Sequence, residues 1–451
     1  MKLKKLLVLT LTILLVFSLF VGCTPNKDPE DEASVTDPTD EPAMETDEVE
    51  ATKEPVKEPE TLDIPKGTAI NFWHAMSGAD GEAVDFLIAK FNETNEYGIE
   101  VVATFQGKYG DLDRKMIAVL SGGEIPHMAQ GYANNIVQYQ ASDMIVQLDS
   151  YIFDENFGVV DFEDIIEGYR NENSAYVDGM FYSLPFNKST EVLYYNKTFF
   201  EENELTVPTN WEELASVSKA ATAILRKPAF GYDSLANLFI TWTQQAGGEY
   251  TDSQGNVMFD NPQAREALTF FKTGIDAGYF RTAGEDGYMS GPFNDGKAVM
   301  FIGSTPGSAY VGNDTFEWDA AQVPFGKEKK VIQQGSNMFM LKSNEAEQAA
   351  TFEFMKFVMD TENTAQWAIL SGYLPVRVSA RDLPVYKEFV AAGTNPTKAI
   401  GTSYDPSWYI YDAVFEASYN VRVAVRTLVD EVVSDTKDIE TAMAEAVASL
   451  S

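Results

Sequence analysis

At 451 residues, with 69 Asp and Glu against 33 Lys and Arg, the chain carries a formal charge of −36. That field argues against nucleic acid or an anionic membrane surface as partner, but not against a small anion, which a local arginine or a helix N-terminus can hold. The composition is globular, with 45% hydrophobic and 12% aromatic residues, and the lone cysteine, Cys23, excludes an internal disulfide and a multi-cysteine metal site.

Lys2, Lys4 and Lys5 precede an apolar run from Leu6 to Val21 that ends at Gly22-Cys23. This is the pattern of a lipoprotein signal peptide over 1–22, with Cys23 as the acceptor of the lipid anchor. The run is shorter than the roughly 20 residues a membrane span needs. Phe20 stands where such cleavage boxes usually carry leucine. Residues 23–65 are dense in Glu, Asp, Pro and Thr and nearly free of aromatics, so they cannot bury enough apolar surface to offset the entropy of ordering. Like charge and proline keep such a segment extended, a tether between anchor and globular part.

The rest of the chain is too long for a single core and fits two lobes. Ala69–Trp73 reads as a strand. Val84, Leu87, Ile88 and Phe91 mark a helix face, and Ile99–Phe105 is the next strand, a βαβ opening that predicts a parallel sheet with helices on both faces. A second helix runs from Asp111 to the glycine stop at Gly122-Gly123. The turn before it places Tyr109 at a strand's C-terminal end, where open α/β sheets bind ligands.

The most informative stretch is 182–214. Val192–Tyr195 reads as a buried strand beside a polar turn at Asn187–Thr190. Thr198 with Glu201 and Thr209 with Glu212 fit capping boxes at two helix starts. Further helices are expected at Leu214–Ile224, Leu238–Gln245, Ala264–Asp276, Ala346–Met359, Glu362–Leu370, Asp405–Val433 and Asp438–Leu450. A strand over Gly296–Phe301 should carry Gly303-Ser304-Thr305 at its tip. No internal repeat, phosphate-binding loop or dinucleotide fingerprint is present.

The order Pro185-Phe186-Asn187, Ser189-Thr190, Leu193-Tyr194-Tyr195-Asn196-Lys197, then Pro208-Thr209-Asn210-Trp211-Glu212-Glu213-Leu214, resembles the extracellular solute-binding proteins of ABC importers, in their carbohydrate-type group. The resemblance runs from about residue 69 to about 433. Within the group it is nearest to the glycerol-3-phosphate-binding proteins, through Phe72-Trp73-His74, the Gly107–Tyr109 turn and Gly372-Tyr373-Leu374-Pro375.

The resemblance implies an α/β, two-lobed periplasmic-binding-protein-like fold of type II, each lobe a sheet flanked by helices, with the ligand cleft at the hinge. Lobe 1 would take 66–183 with 335–369, and lobe 2 would take 184–334 with 370–451. The chain should cross near Tyr182–Pro185, Gln334–Ser336 and Leu370–Tyr373. A lipid-anchored, monomeric binding protein on the outer face of the cell membrane is then expected, without cofactor or metal. It would capture a carbohydrate or a polyol phosphate by hinge closure and hand it to the importer's membrane subunits.

By the same resemblance Tyr109, Ser189, Ser304, Gly335, Tyr373 and Arg426 fall on ligand-binding positions. Ser308 rivals Ser304, because the loop is longer here, and Arg422 lies one helical turn before Arg426. Relatives place a glutamate where Ala133 stands, beside Asn134, and two tryptophans where Ala236 and Phe239 stand, with Trp242 one turn beyond. His74 belongs to the shared Phe-Trp-His motif and is a candidate for the cleft lining, whereas His127 reads as a packing or turn residue. A glycoside- or phosphodiester-hydrolysing enzyme would need paired carboxylates, which 69 acidic residues could supply only through an unknown spatial separation. There is no nucleophile elbow and no HExxH pattern. A ligand sensor on the same fold would show no dependence on an importer.

Overall fold

A computed structural model describes residues 63–450, apart from 253 and 313. The leader, Cys23 and all but the last three residues of the acidic tether lie outside the described residues. Among those described, no helix is long and apolar enough to cross a membrane.

The first half follows the expected βαβ course: β1 Ala69–His74, α1 Ala79–Thr94, β2 Glu100–Phe105, α2 Tyr109–Leu120, β3 Met128–Gly131, then α3 Ala133–Gln140, α4 Asp149–Ile152 and α5 Glu167–Asn173. Val84, Leu87, Ile88 and Phe91 are the buried stripe of α1. Strand β4, Leu184–Asn196, leads into α6 Lys197–Glu202, α7 Trp211–Leu225, β5 Phe230–Tyr232, α8 Leu235–Gln245, α9 Pro262–Asp276, β6 Phe280–Thr282, α10 Ser290–Asn294, β7 Met300–Ser304 and β8 Trp318–Ala321. The return strand is β9, Val331–Met340. After it come α11 Glu345–Met359, α12 Thr361–Leu370, α13 Val378–Asp382, α14 Pro384–Ala391, α15 Pro396–Ser403, β10 Tyr409–Ile410, α16 Ser418–Val433 and α17 Ile439–Ala448.

The strands form one hydrogen-bonded path, β2-β1-β3-β9-β4-β7-β5-β6, with β10 on β9 and β8 on β4. β1, β2 and β3 are parallel, as are β5, β6 and β7. β4 and β9 run antiparallel through the middle, with a register shift between Pro185 and Lys188. One end of β9 pairs with β3, and the far part of β4 pairs with β7 and β8. Among the described residues only these two long strands are common to both halves of the sheet. The C-terminal ends of β1–β3 and of β5 and β7 therefore face each other across them.

Several expectations need correction. The polar run Asn187–Thr190 is not a turn but the middle of β4, because each of its side chains finds a buried partner. The helix starts are capped one or two residues away from the predicted boxes. Asn196 accepts from the Phe199 amide and Asn210 from the Glu213 amide, short amides being as good as threonine at this position. The C-terminal helix begins at Ser418, not Asp405, since Pro406–Trp408 makes a 3-10 turn and Tyr409–Ile410 pairs with β9. The chain after 370 does not stay on the second half: α13 and α14 pack on α12, which lies against α1.

Candidate functional site

At the crossing strands five polar residues, Asn187, Gln130, Ser336, Tyr109 and Tyr373, form a single network. Asn187 on β4 accepts through Oδ1 from Gln130 Nε2 (2.9 Å) and Ser336 Oγ (2.6 Å), so its Nδ2 is left to donate to the Tyr109 hydroxyl at 2.7 Å. Gln130 is itself fixed, because its Oε1 accepts from the Ala75 amide. The Tyr109 and Tyr373 hydroxyls are 3.2 Å apart. Tyr109 opens α2 from one half, and Tyr373 lies on the returning segment, where the Leu374 amide donates to the Lys188 carbonyl. Burial first, and then the neighbouring phenols, push Tyr109 up; burial pushes Tyr373 to about 12 in spite of the Tyr109 bond. At neutral pH both are neutral hydroxyls able to donate or accept.

Two residues along β4, the Ser189 hydroxyl meets that of Ser304 at 3.2 Å, where Ser304 ends β7. Ser308 is engaged elsewhere, accepting from Asn395. Gly335 on β9 stands opposite Lys188 at φ +94°, and a Cβ there would lie 1.9 Å from the Asn187 carbonyl oxygen. Only glycine permits that approach. Gly372 is likewise pressed on Pro306, just past the end of β7.

Below the network, Lys188 is fully buried and paired with Glu172 of α5, with Tyr169 facing its ammonium. Lys398 on α15 donates to the carbonyls of Ser371 and Tyr373, and burial brings it down to about 7. From the opposite side Asp80 accepts from the Gly372 amide. The 371–373 segment is thus clamped between two halves of the molecule.

A rim of phenols overhangs the crossing. Tyr132 stacks obliquely on Tyr109 with ring centroids 5.0 Å apart and is 38% exposed, while Tyr288 and Tyr310, from the second half, are 70% and 74% exposed. Burial is the main cause raising Tyr132, with Tyr373 and Tyr288 adding to it and Arg422 opposing. These groups therefore sit within electrostatic reach of one another across the crossing. Phenol faces against C–H surfaces, with hydroxyls and amides beneath, suit a hydroxyl-rich solute.

Not every expected residue gathers here. Arg426 is exposed one turn too far along α16, whereas Arg422, nearer the helix start that touches α3, turns inward to Asp412 and Asn237. Phe239 and Trp242 are core, not cleft: Phe239 packs edge-on to Phe259, and Trp242 lies among Trp211, Tyr232, Phe270 and Phe271. α8 is buried over most of its circumference, so neither ring has a cleft-facing side. His74 is buried beside Phe72 and Phe105, with Nδ1 accepting from the Met76 amide, and burial lowers its pKa. Asn134 is half-buried with Oδ1 lacking a partner. His127 acts as a packing residue, its Nδ1 accepting from the Asn71 amide.

Sequence reasoning passed over Asn187, Gln130, Ser336, Glu191 and Asn237. Asn187 lies inside a motif read for its neighbours, and an uncharged amide in a polar run carries no signal until its long-range partner is known. Two surface hollows, beside Arg281–Asp286 and between Lys272 and Lys437, are lined by none of these residues. Among the described residues no cluster of His, Cys, Asp and Glu could hold a metal ion.

Two sheet halves joined by two long strands, with strand ends opposed across them, define a two-lobed α/β binding protein. Cyclic α-maltosyl-1,6-maltose binding protein from Arthrobacter globiformis superposes with a TM-score of 0.74 at 20% identity, covering 84% of this chain and 98% of that one. UgpB from Mycobacterium tuberculosis, solved with glycerophosphocholine, gives 0.73 at 21%, covering 85% and 98%. In sequence, the sn-glycerol-3-phosphate-binding periplasmic protein UgpB of Shigella flexneri is 27% identical over 340 residues, 70% of this chain and 76% of that protein. Residues 87–394 match the family of bacterial extracellular solute-binding proteins, and the chain belongs to that family.

Proposed function

We propose that this protein is the solute-binding component of an ABC importer, lipid-anchored at Cys23 on the outer face of the cell membrane. It captures a carbohydrate or a glycerol-phosphate-like polyol between its lobes and returns it unchanged to the importer's membrane subunits. The observation that carries this reading is the row of neutral hydroxyls and amides, Tyr109, Asn187, Tyr373, Ser189 and Ser304, drawn from both sides of the crossing. The names of the relatives, binders of sugars and glycerol phosphates, support the same solute class.

Lobe 1 is formed by 66–183 with 335–369, and lobe 2 by 184–334 with most of the remaining chain. Ligand contacts from both lobes favour the closed form, and the energy available for closure equals the ligand's preference for closed over open. Gly335, Tyr373 and the exposed phenols complete the pocket.

Thermal melting against neutral mono- and oligosaccharides, sn-glycerol 3-phosphate and glycerophosphodiesters tests this. A ligand at a hundred times its dissociation constant adds about 2.7 kcal/mol. At least one hydroxyl-rich solute should raise the melting temperature and be recovered intact. Silence across the panel, or consumption of the solute, would sink the proposal.

A further inference from the structure

On the second wall of the crossing, the polar groups that surround Arg422 form a closed chain. Its Nη1 donates to Asp412 at 2.7 Å and its Nη2 to Asn237 Oδ1 at 2.6 Å. The orientation of the Asn237 amide is not free, because its Nδ2 donates to Glu191 Oε1 at 2.9 Å. Glu191, fully buried on β4, is held through its other oxygen by the Tyr232 hydroxyl. Glu191 lies two residues beyond Ser189 and pairs in register with Ser304, so the chain that leads to Arg422 starts beside the serine pair. The guanidinium in turn lies within electrostatic reach of Tyr132 on the opposite wall.

Two consequences follow for an anionic ligand. A phosphate is best held by a pair of parallel N–H groups from one guanidinium; Arg422 gives one hydrogen of each terminal nitrogen to Asp412 and Asn237, so the remaining three of its five N–H groups point where those two bonds set the plane, not where a ligand would set it. The local charge is unfavourable as well, since the positive charge of Arg422 is matched by Asp412 and faced by the Glu191 carboxyl. A phosphate dianion entering this wall would meet the Asp412 carboxylate, held by Arg422 and the Ala413 amide, with the Glu191 carboxyl, held by Tyr232 and Asn237, behind it.

We infer that Asp412 is a specificity-determining residue, a charge lock that withholds Arg422 from anion binding and commits the cleft to uncharged, hydroxyl-rich solutes. The inference rests on the proposed binding of a carbohydrate or polyol phosphate at this crossing and narrows it to the neutral class. Asp412 acts through Arg422 and touches no ligand itself.

Isothermal titration of the full chain with sn-glycerol 3-phosphate, comparing the wild type with Asp412→Asn and Asp412→Ala, tests the lock. Both variants should bind the phosphate at least about tenfold more tightly than the wild type, and the gain should vanish in D412N/R422Q. Asp412 is partly exposed, so two different replacements at this position should both fold. Wild-type affinity for the phosphate equal to that of the variants, or a gain that survives in the double variant, would overturn the inference. A parallel titration of the wild type with maltose separates this from the broader reading. No response to maltose together with the D412N gain counts against the carbohydrate reading and upholds the lock, whereas a maltose response without the gain overturns the lock alone.

Discussion

The Tyr109 and Tyr373 hydroxyls illustrate how a binding group is positioned. Asn187 can direct only its amide hydrogens at Tyr109, because its carbonyl is occupied by Gln130 and Ser336, and the phenol is therefore free to donate toward Tyr373 or a solute. Tyr373→Phe should lower solute affinity by about tenfold, the worth of roughly 1.4 kcal/mol, while moving the melting temperature of the free protein little. A large loss of stability with unchanged affinity would contradict that role. Glu191 offers a test through pH. Burial is the main cause that raises it from 4.5 to about 7, against the pull of Tyr232 and Asn237. Its folded pKa lies above the unfolded one, so the contribution to stability is full below about pH 4.5 and is lost as pH rises through about 7, with a size of roughly 3 kcal/mol. Glu191→Gln keeps the shape without the charge. It should melt above the wild type at pH 8 and converge with it near pH 4.5, whereas a constant offset at both pH values would refute the assignment.

At the scale of elements, the two crossing strands decide what could be read from the sequence. The parallel strands and the amphipathic helices were legible, since their apolar period appears within a dozen residues: α1 buries the very stripe Val84, Leu87, Ile88 and Phe91. β4 was half legible. Its apolar end reads as a strand, but Asn187–Thr190 looks like a turn until β9, Glu172 and Tyr109 are brought beside it, and those partners come from distant parts of the chain. The same reason hid the difference between Arg422 and Arg426, which share a helix face and differ only in their distance from the crossing. Buried Lys188 gives the element-scale prediction. Removing it as Lys188→Met takes the ion-pair partner from the Glu172 carboxyl and leaves it only the Asn337 amide, at a cost of about 3–5 kcal/mol, while K188M/E172L should recover most of the loss; chemical denaturation of both variants measures it. Gly335→Ala should be as damaging as the single substitution, since its Cβ has no space beside Asn187. Wild-type stability for G335A would show that the strands do not approach so closely.

For the whole molecule, the central claim is that solute binds where β4, β9 and the 371–373 segment cross, with contacts from both lobes. The fold alone does not establish this, because the same two-lobed architecture accommodates many solutes, and function lies in the site. Closure around a ligand held from both sides should order the crossing and leave the outer helices unchanged. Amide hydrogen exchange, with and without the panel solute that raises the melting temperature most, measures this directly. Slower exchange is expected at Tyr109–Asp111, at Lys188–Thr190 and at Gly372–Tyr373 together, the three segments that meet at the hydroxyl network. Protection confined to one lobe, or located at the outer hollow beside Arg281–Asp286, would contradict it.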